Sequence, residues 1–209
     1  MLEVRHLNVW YGAAQALFDV SLQVDAGELV VLQGLNGAGK STLLQAIMGM
    51  SQRVTGTISY QNRSIERWEP YRRARAGLGY VAEDRRLFTG LTVRENLRLA
   101  ARGDALAREA QALQLFPALA NMMDRPSGRM SGGEQQMLAI ARTLMTGPTL
   151  LLLDEPCEGI APMLVEAILE ALLALKGEGV TLLVAEQNRI LAEHADRTLM
   201  LAAGQLRER

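Results

Sequence analysis

The chain has 209 residues, 49% of them apolar and 22% charged, enough to bury a core and too ordinary a balance for disorder, a coiled coil or a disulfide-stapled mini-protein. Its 22 Lys and Arg against 23 Asp and Glu leave a net charge of -1, so no broad basic field exists to hold a nucleic-acid backbone, and no nucleic-acid partner is expected. The single cysteine, Cys157, cannot form an internal bridge, Glu3, Arg5 and His6 spoil a signal peptide, and no window approaches the ~18 apolar residues of a membrane span, which together lead us to expect a cytoplasmic chain.

In chain order, Phe18, Val20, Leu22 and Val24 alternate with Asp19, Ser21 and Gln23, the period of a half-buried strand. Residues 28–33 (ELVVLQ) read as a strand buried on both faces. A glycine-rich loop follows, then Leu43, Leu44, Ile47 and Met48 at helical spacing, predicting a helix over 40–50 that closes near Gly49. Residues 56–62 and 77–81 read as strands flanking an Arg-rich stretch whose interspersed acids mark a solvated face. From Thr92 to about Leu115 good helix formers dominate, opened by a Thr92/Glu95 capping box, and Ser131 with Glu134 repeats that spacing ahead of EQQMLAIARTLM. Leu150–Leu153 reads as a buried strand, followed by a helix over about 163–176, a strand over 180–185, a further helix and a hairpin pivoting on Gly204. Strands alternating with helices imply an α/β chain with a parallel sheet. We expect one domain over 1–209, with a core of 1–65 and 147–209 interrupted by a mostly helical insertion over about 66–146.

Gly34-Leu35-Asn36-Gly37-Ala38-Gly39-Lys40-Ser41, with Thr42 after it, fits the phosphate-binding loop and sits between a strand and a helix, where that loop must sit. Its glycines let successive N–H groups point inward, the helix start adds positive partial charge, Lys40 neutralises phosphate oxygens and Ser41 can ligate Mg²⁺. The ligand expected is a nucleoside triphosphate. Leu150–Leu153 runs into Asp154, placed to hold Mg²⁺, and Glu155, placed to polarise the water that attacks the γ-phosphate. Ser131, Gly132, Gly133 and Glu134 offer a hydroxyl and bare N–H groups at a second helix start, a second anion-binding surface in one chain.

Taken in order, GLNGAGKST, MSGGEQQ and LLLLDEP resemble the ATP-binding-cassette ATPases over nearly the whole chain. The resemblance implies a phosphate-loop NTPase fold with a mixed, mainly parallel core, an N-terminal antiparallel β part and an inserted helical subdomain. It implies ATP and Mg²⁺ as ligands. It implies a head-to-tail dimer with a second such subunit, in which ATP lies between the phosphate loop of one copy and the SGGE surface of the other. Tyr11 matches the family's adenine-stacking aromatic, with Trp10 as the competing stacker. Glu83 falls where most members have a Gln that touches Mg²⁺ and the attacking water. Gln187 falls where the switch His is usual, and Ala161 where many carry an interface Asp. YVAEDRRLF, LTVRENL, DEPCEGIAP and AEQN resemble the smaller ATPase of branched-chain amino acid importers. That likeness implies permease partners, an indirect periplasmic solute-binding protein and a peripheral place on the cytoplasmic face of the membrane. A urea or short-chain amide importer and a soluble, non-transport ATPase are the alternatives. Cys157 reads as a small packed residue, and the Met residues near 122–137 as core filling or the lining of a permease groove.

Overall fold

Three apolar runs decide the layout of the chain, whose computed structural model describes residues 1–207, so that the last two residues of the expected domain lie outside it. β1 (Leu2–Tyr11) and β2 (Ala14–Val24) form a hairpin that continues through β4 (Arg53–Tyr60) to the short β5 (Arg63–Ser64), an antiparallel sheet ordered β2-β1-β4-β5. Between them the chain makes β3 (Leu29–Gln33) and α1 (Lys40–Met48). After α2 (Pro70–Ala76) come β6 (Leu78–Val81), β7 (Leu150–Asp154), β8 (Thr181–Ala185), β9 (Arg197–Ala202) and β10 (Gln205–Arg207), which join β3 in a six-stranded sheet ordered β10-β9-β3-β8-β7-β6. Every pairing from β9 to β6 is parallel, and only β10 runs against its neighbour.

Strands buried on both faces must be covered on both faces. Leu29, Val31, Leu151, Leu153, Leu182 and Val184 pack into one apolar cluster with α6 (Gly132–Leu144) and α7 (Pro162–Gly177). The residues between them, Val30, Leu32, Leu150, Leu152 and Leu183, pack the other way against α1 and the antiparallel sheet. The period of two therefore divides the core into two layers about one sheet. The helices α3 (Val93–Ala100), α4 (Ala105–Leu115) and α5 (Pro117–Ala120) lie beyond α6, and α8 (Arg189–Glu193) precedes β9. Among the described residues no helix is long and apolar enough to cross a membrane.

Three expectations change. Phe18 does not share the buried face of Val20, Leu22 and Val24: it is 39% exposed, while Leu17 is buried. A bulge is the cause, since Asp19 and His6 both take positive φ, the register shifts between Leu7 and Val9, and Asn8 Oδ1 accepts the Asp19 N–H at 3.0 Å. The helical stretch from Thr92 to Leu115 is two helices, broken where Gly103 turns left-handed and Asp104 caps the Ala107 N–H at 3.0 Å. The expected insertion over 66–146 contains β6, which pairs with β7 in the six-stranded sheet, so a core strand interrupts it.

Candidate nucleotide site

The carboxyl ends of β3, β7 and β8 converge, and the turns leaving them carry the polar residues. At the end of β3 the loop reaches α1 through Gly37 and Gly39, both left-handed, with φ 79° and 105°. A side chain at Gly39 would also strike Leu17. Gly39 caps α1 without any side-chain bond, so the Lys40, Ser41 and Thr42 amides are left facing the loop. Helices α3 and α6 differ, because capping boxes at Thr92/Glu95 and Ser131/Glu134 engage the N-cap and third-residue N–H groups of each, which at α6 leaves the Gly132 and Gly133 amides to be met.

The Lys40 ammonium is buried, donating to the carbonyls of Gly34 at 2.8 Å and Leu35 at 3.2 Å and sitting 2.8 Å from Glu155 Oε1. Ser41 Oγ donates to Asp154 Oδ1 at 2.9 Å. Burial pushes the Asp154 carboxyl above its usual range, while the bonds from Ser41 and Tyr80 pull it back. Glu83 is exposed, and partial desolvation followed by the charges of Glu158, Asp154 and Glu155 raise it too. Ser41, Asp154 and Glu83 line one cavity of about 320 Å³ with Tyr80 and Gln45. These are hard oxygen donors of the kind a Mg²⁺ ion accepts. Among the described residues no cluster of three His, Cys, Asp or Glu could hold a metal alone, so an ion here would need phosphate oxygens and water to fill its shell.

A second cavity, of about 490 Å³, meets the first at Ser41 and is lined by Tyr11, Phe18, Gly37, Lys40, Thr42 and Gly204, among others. Tyr11 is 53% exposed, with its hydroxyl 3.3 Å from Thr42 Oγ1, and its ring is open to a flat ligand. Trp10 is engaged elsewhere, under the Arg53 guanidinium at 4.6 Å. Leu35 stands 80% exposed, Ala38 is buried, and the Asn36 side chain accepts the Gln187 amide.

Ser131, Gly132, Gly133 and Glu134 are not brought to this loop: they open α6 and line neither cavity. Ser131 Oγ takes the Glu134 N–H at 3.3 Å and Glu134 returns 2.7 Å to the Ser131 N–H, a bond that holds the Glu134 carboxyl below its usual range. Gly133 has a packing reason besides a bare amide, since a side chain there would collide with Leu164.

Sequence reasoning missed Tyr80, whose hydroxyl donates to Asp154 Oδ2 at 3.1 Å, although its place two residues after Leu78 on β6 put it on the α1 face. It missed Arg142, which donates to the carbonyls of Arg85 at 3.0 Å and Arg86 at 2.7 Å and so holds two successive left-handed residues after Glu83. It read Arg85 as part of a solvated arginine cluster, whereas its guanidinium reaches Gln136 on α6 at 3.2 Å. No local signal marks either arginine.

The ABC transporter family profile matches residues 17–158. The chain is 43% identical to the high-affinity branched-chain amino acid transport ATP-binding protein BraG of Pseudomonas aeruginosa, over 99% of this chain and 91% of that protein. It is 35% identical to the probable branched-chain amino acid transport ATP-binding protein LivF of Archaeoglobus fulgidus, over 99% and 90%. A nucleotide-free ATP-binding cassette from an ABC transporter superposes with a TM-score of 0.90 at 27% identity, over 100% of this chain and 90% of the other. A dimeric bacterial ABC transporter cassette gives 0.89 at 26%, over 100% and 97%. The chain belongs to the ABC transporter family, of which it is an ATPase cassette.

Proposed function

We propose that the chain is the ATP-hydrolysing subunit of an importer for branched-chain or related hydrophobic amino acids, working as a head-to-tail pair of cassettes beneath partner permeases. The observation that carries the hydrolytic part is that folding sets Ser41 against Asp154, 113 positions away, and Lys40 against Glu155. The β- and γ-phosphates enter the Lys40, Ser41 and Thr42 amides and draw the Lys40 ammonium from Glu155. Glu155 is then free to accept a proton from water as the water oxygen bonds to the γ-phosphorus and the bond to ADP breaks. Gln187 donates its side-chain amide to the γ-phosphate without titrating. Ser41, Asp154 and Glu83 are the residues that would hold Mg²⁺, which when bound neutralises charge on the phosphates. Tyr11 stacks on the adenine, and Ser131 with Gly132 of a second copy completes the γ-phosphate shell. The full-length likeness to BraG and LivF supports the solute class and, with it, permease docking at the cytoplasmic face of the membrane.

Glu155→Gln tests the base. ATP affinity is expected to stay within about twofold while kcat falls about 100-fold or more, read by nucleotide titration and phosphate release. Normal turnover would refute the assignment. Uptake of labelled leucine against labelled urea, in cells with and without the gene, tests the solute.

A further inference from the structure

Glu186 is a carboxylate that the hydrolytic scheme leaves unused, yet it closes β8 at 2% exposure. Its Oε2 accepts the Cys157 N–H at 3.1 Å, and its Oε1 accepts the N–H groups of Gln187 at 2.8 Å and Asn188 at 3.0 Å. Cys157 lies in the turn after β7, two residues beyond Glu155, and Gln187 and Asn188 lie in the turn after β8. One side chain thus fastens both turns. The Gln187 N–H is shared, with Glu155 Oε2 as its second acceptor at 3.3 Å, so two carboxylates converge on one donor.

Filling the end of a strand does not require such a group. Burial first, and the neighbouring Glu155 charge, push Glu186 above the usual carboxylate range, against three N–H bonds that favour its ionised form. An apolar side chain of like volume would avoid that desolvation but could hold none of the three amides. Only a carboxylate presents acceptors on both oxygens.

We propose that Glu186 is a positioning residue for ATP hydrolysis: by tying the Cys157 turn to the Gln187–Asn188 turn, it keeps Glu155 and Gln187 in fixed register so that both reach the γ-phosphate together. This rests on Glu155 being the base. Glu186→Gln keeps the shape but turns an NH₂ group toward one of the N–H donors, which breaks at least one bond. In the full chain kcat is expected to fall about tenfold or more, because small displacements at a reacting centre are costly, while the Kd for ATP stays within about twofold. Amide hydrogen exchange is expected to quicken at Cys157 or at Gln187 and Asn188, and Glu186→Asp is expected to show the same split with a smaller loss. Turnover of Glu186→Gln within about twofold of the parent, or ATP affinity lost in step with kcat, overturns the proposal. Glu155→Gln measured beside it separates the failures. If that variant hydrolyses normally, the base is misassigned; if it is inactive while Glu186→Gln is normal, only the positioning role is wrong.

Discussion

At Glu155 the backbone turns left-handed, with φ 46°, a conformation that costs a residue with a side chain on the order of 1–3 kcal/mol. The turn is held on both sides, by its N–H on the Ala185 carbonyl at 2.9 Å and by the Glu158 N–H on its own carbonyl at 3.2 Å. The strain has a use, because the carboxylate is directed back over the phosphate loop to Lys40. Two positions on, burial and then the Glu186 charge push the Cys157 thiol up to about 12. The folded chain is therefore expected to ignore a disulfide probe such as dithionitrobenzoate at pH 8, and the denatured chain to release one equivalent; rapid labelling of the native chain would contradict the burial argument. The phosphate loop and the Asp154–Glu155 pair are legible in the sequence because their chemistry is contiguous along the chain. Glu186 and Tyr80 are not, since only the pairing of strands brings the Cys157 N–H to the one and the Asp154 carboxylate to the other.

Helix starts were the most legible elements, with both capping boxes formed where the Thr92/Glu95 and Ser131/Glu134 spacings put them. The bulge at Asp19 was not, because an alternating pattern reads the same on either side of an inserted residue and only Asn8, on the neighbouring strand, fixes where the pattern slips. Asp196 joins elements that the sequence holds far apart: it accepts the Lys176 ammonium of α7 at 2.6 Å and the Leu29 N–H of β3 at 2.8 Å, and these bonds hold its carboxyl below the usual range. A depressed folded-state value stabilises the fold above the unfolded pKa of about 3.9 and ceases to do so as pH falls through the folded value. Asp196→Asn is expected to destabilise the chain by about 1 kcal/mol or less at pH 7, given its partial exposure. Urea midpoints measured for both chains should draw together as pH falls below the usual carboxylate range, and a gap that stays constant throughout acidification would count against this account.

On the scale of the molecule, the phosphate loop and the α6 start lie on separate elements, as the proposed clasp of one nucleotide between two copies requires. Sedimentation of Glu155→Gln is expected to show a dimer with ATP and a monomer with ADP, and Ser131→Arg in the same background to stay monomeric; a monomer under all three conditions would refute the clasp. The strand order carries one more consequence. β8 lies between β3 and β7, so two ladder spacings, roughly 10 Å, separate the root of the phosphate loop from the root of Asp154. That gauge is cut by main-chain pairing rather than by any one of the catalytic side chains. Glu83 follows β6 and Gln187 follows β8, so both hang from the same frame, and the span that a triphosphate would bridge is set before either side chain reaches it.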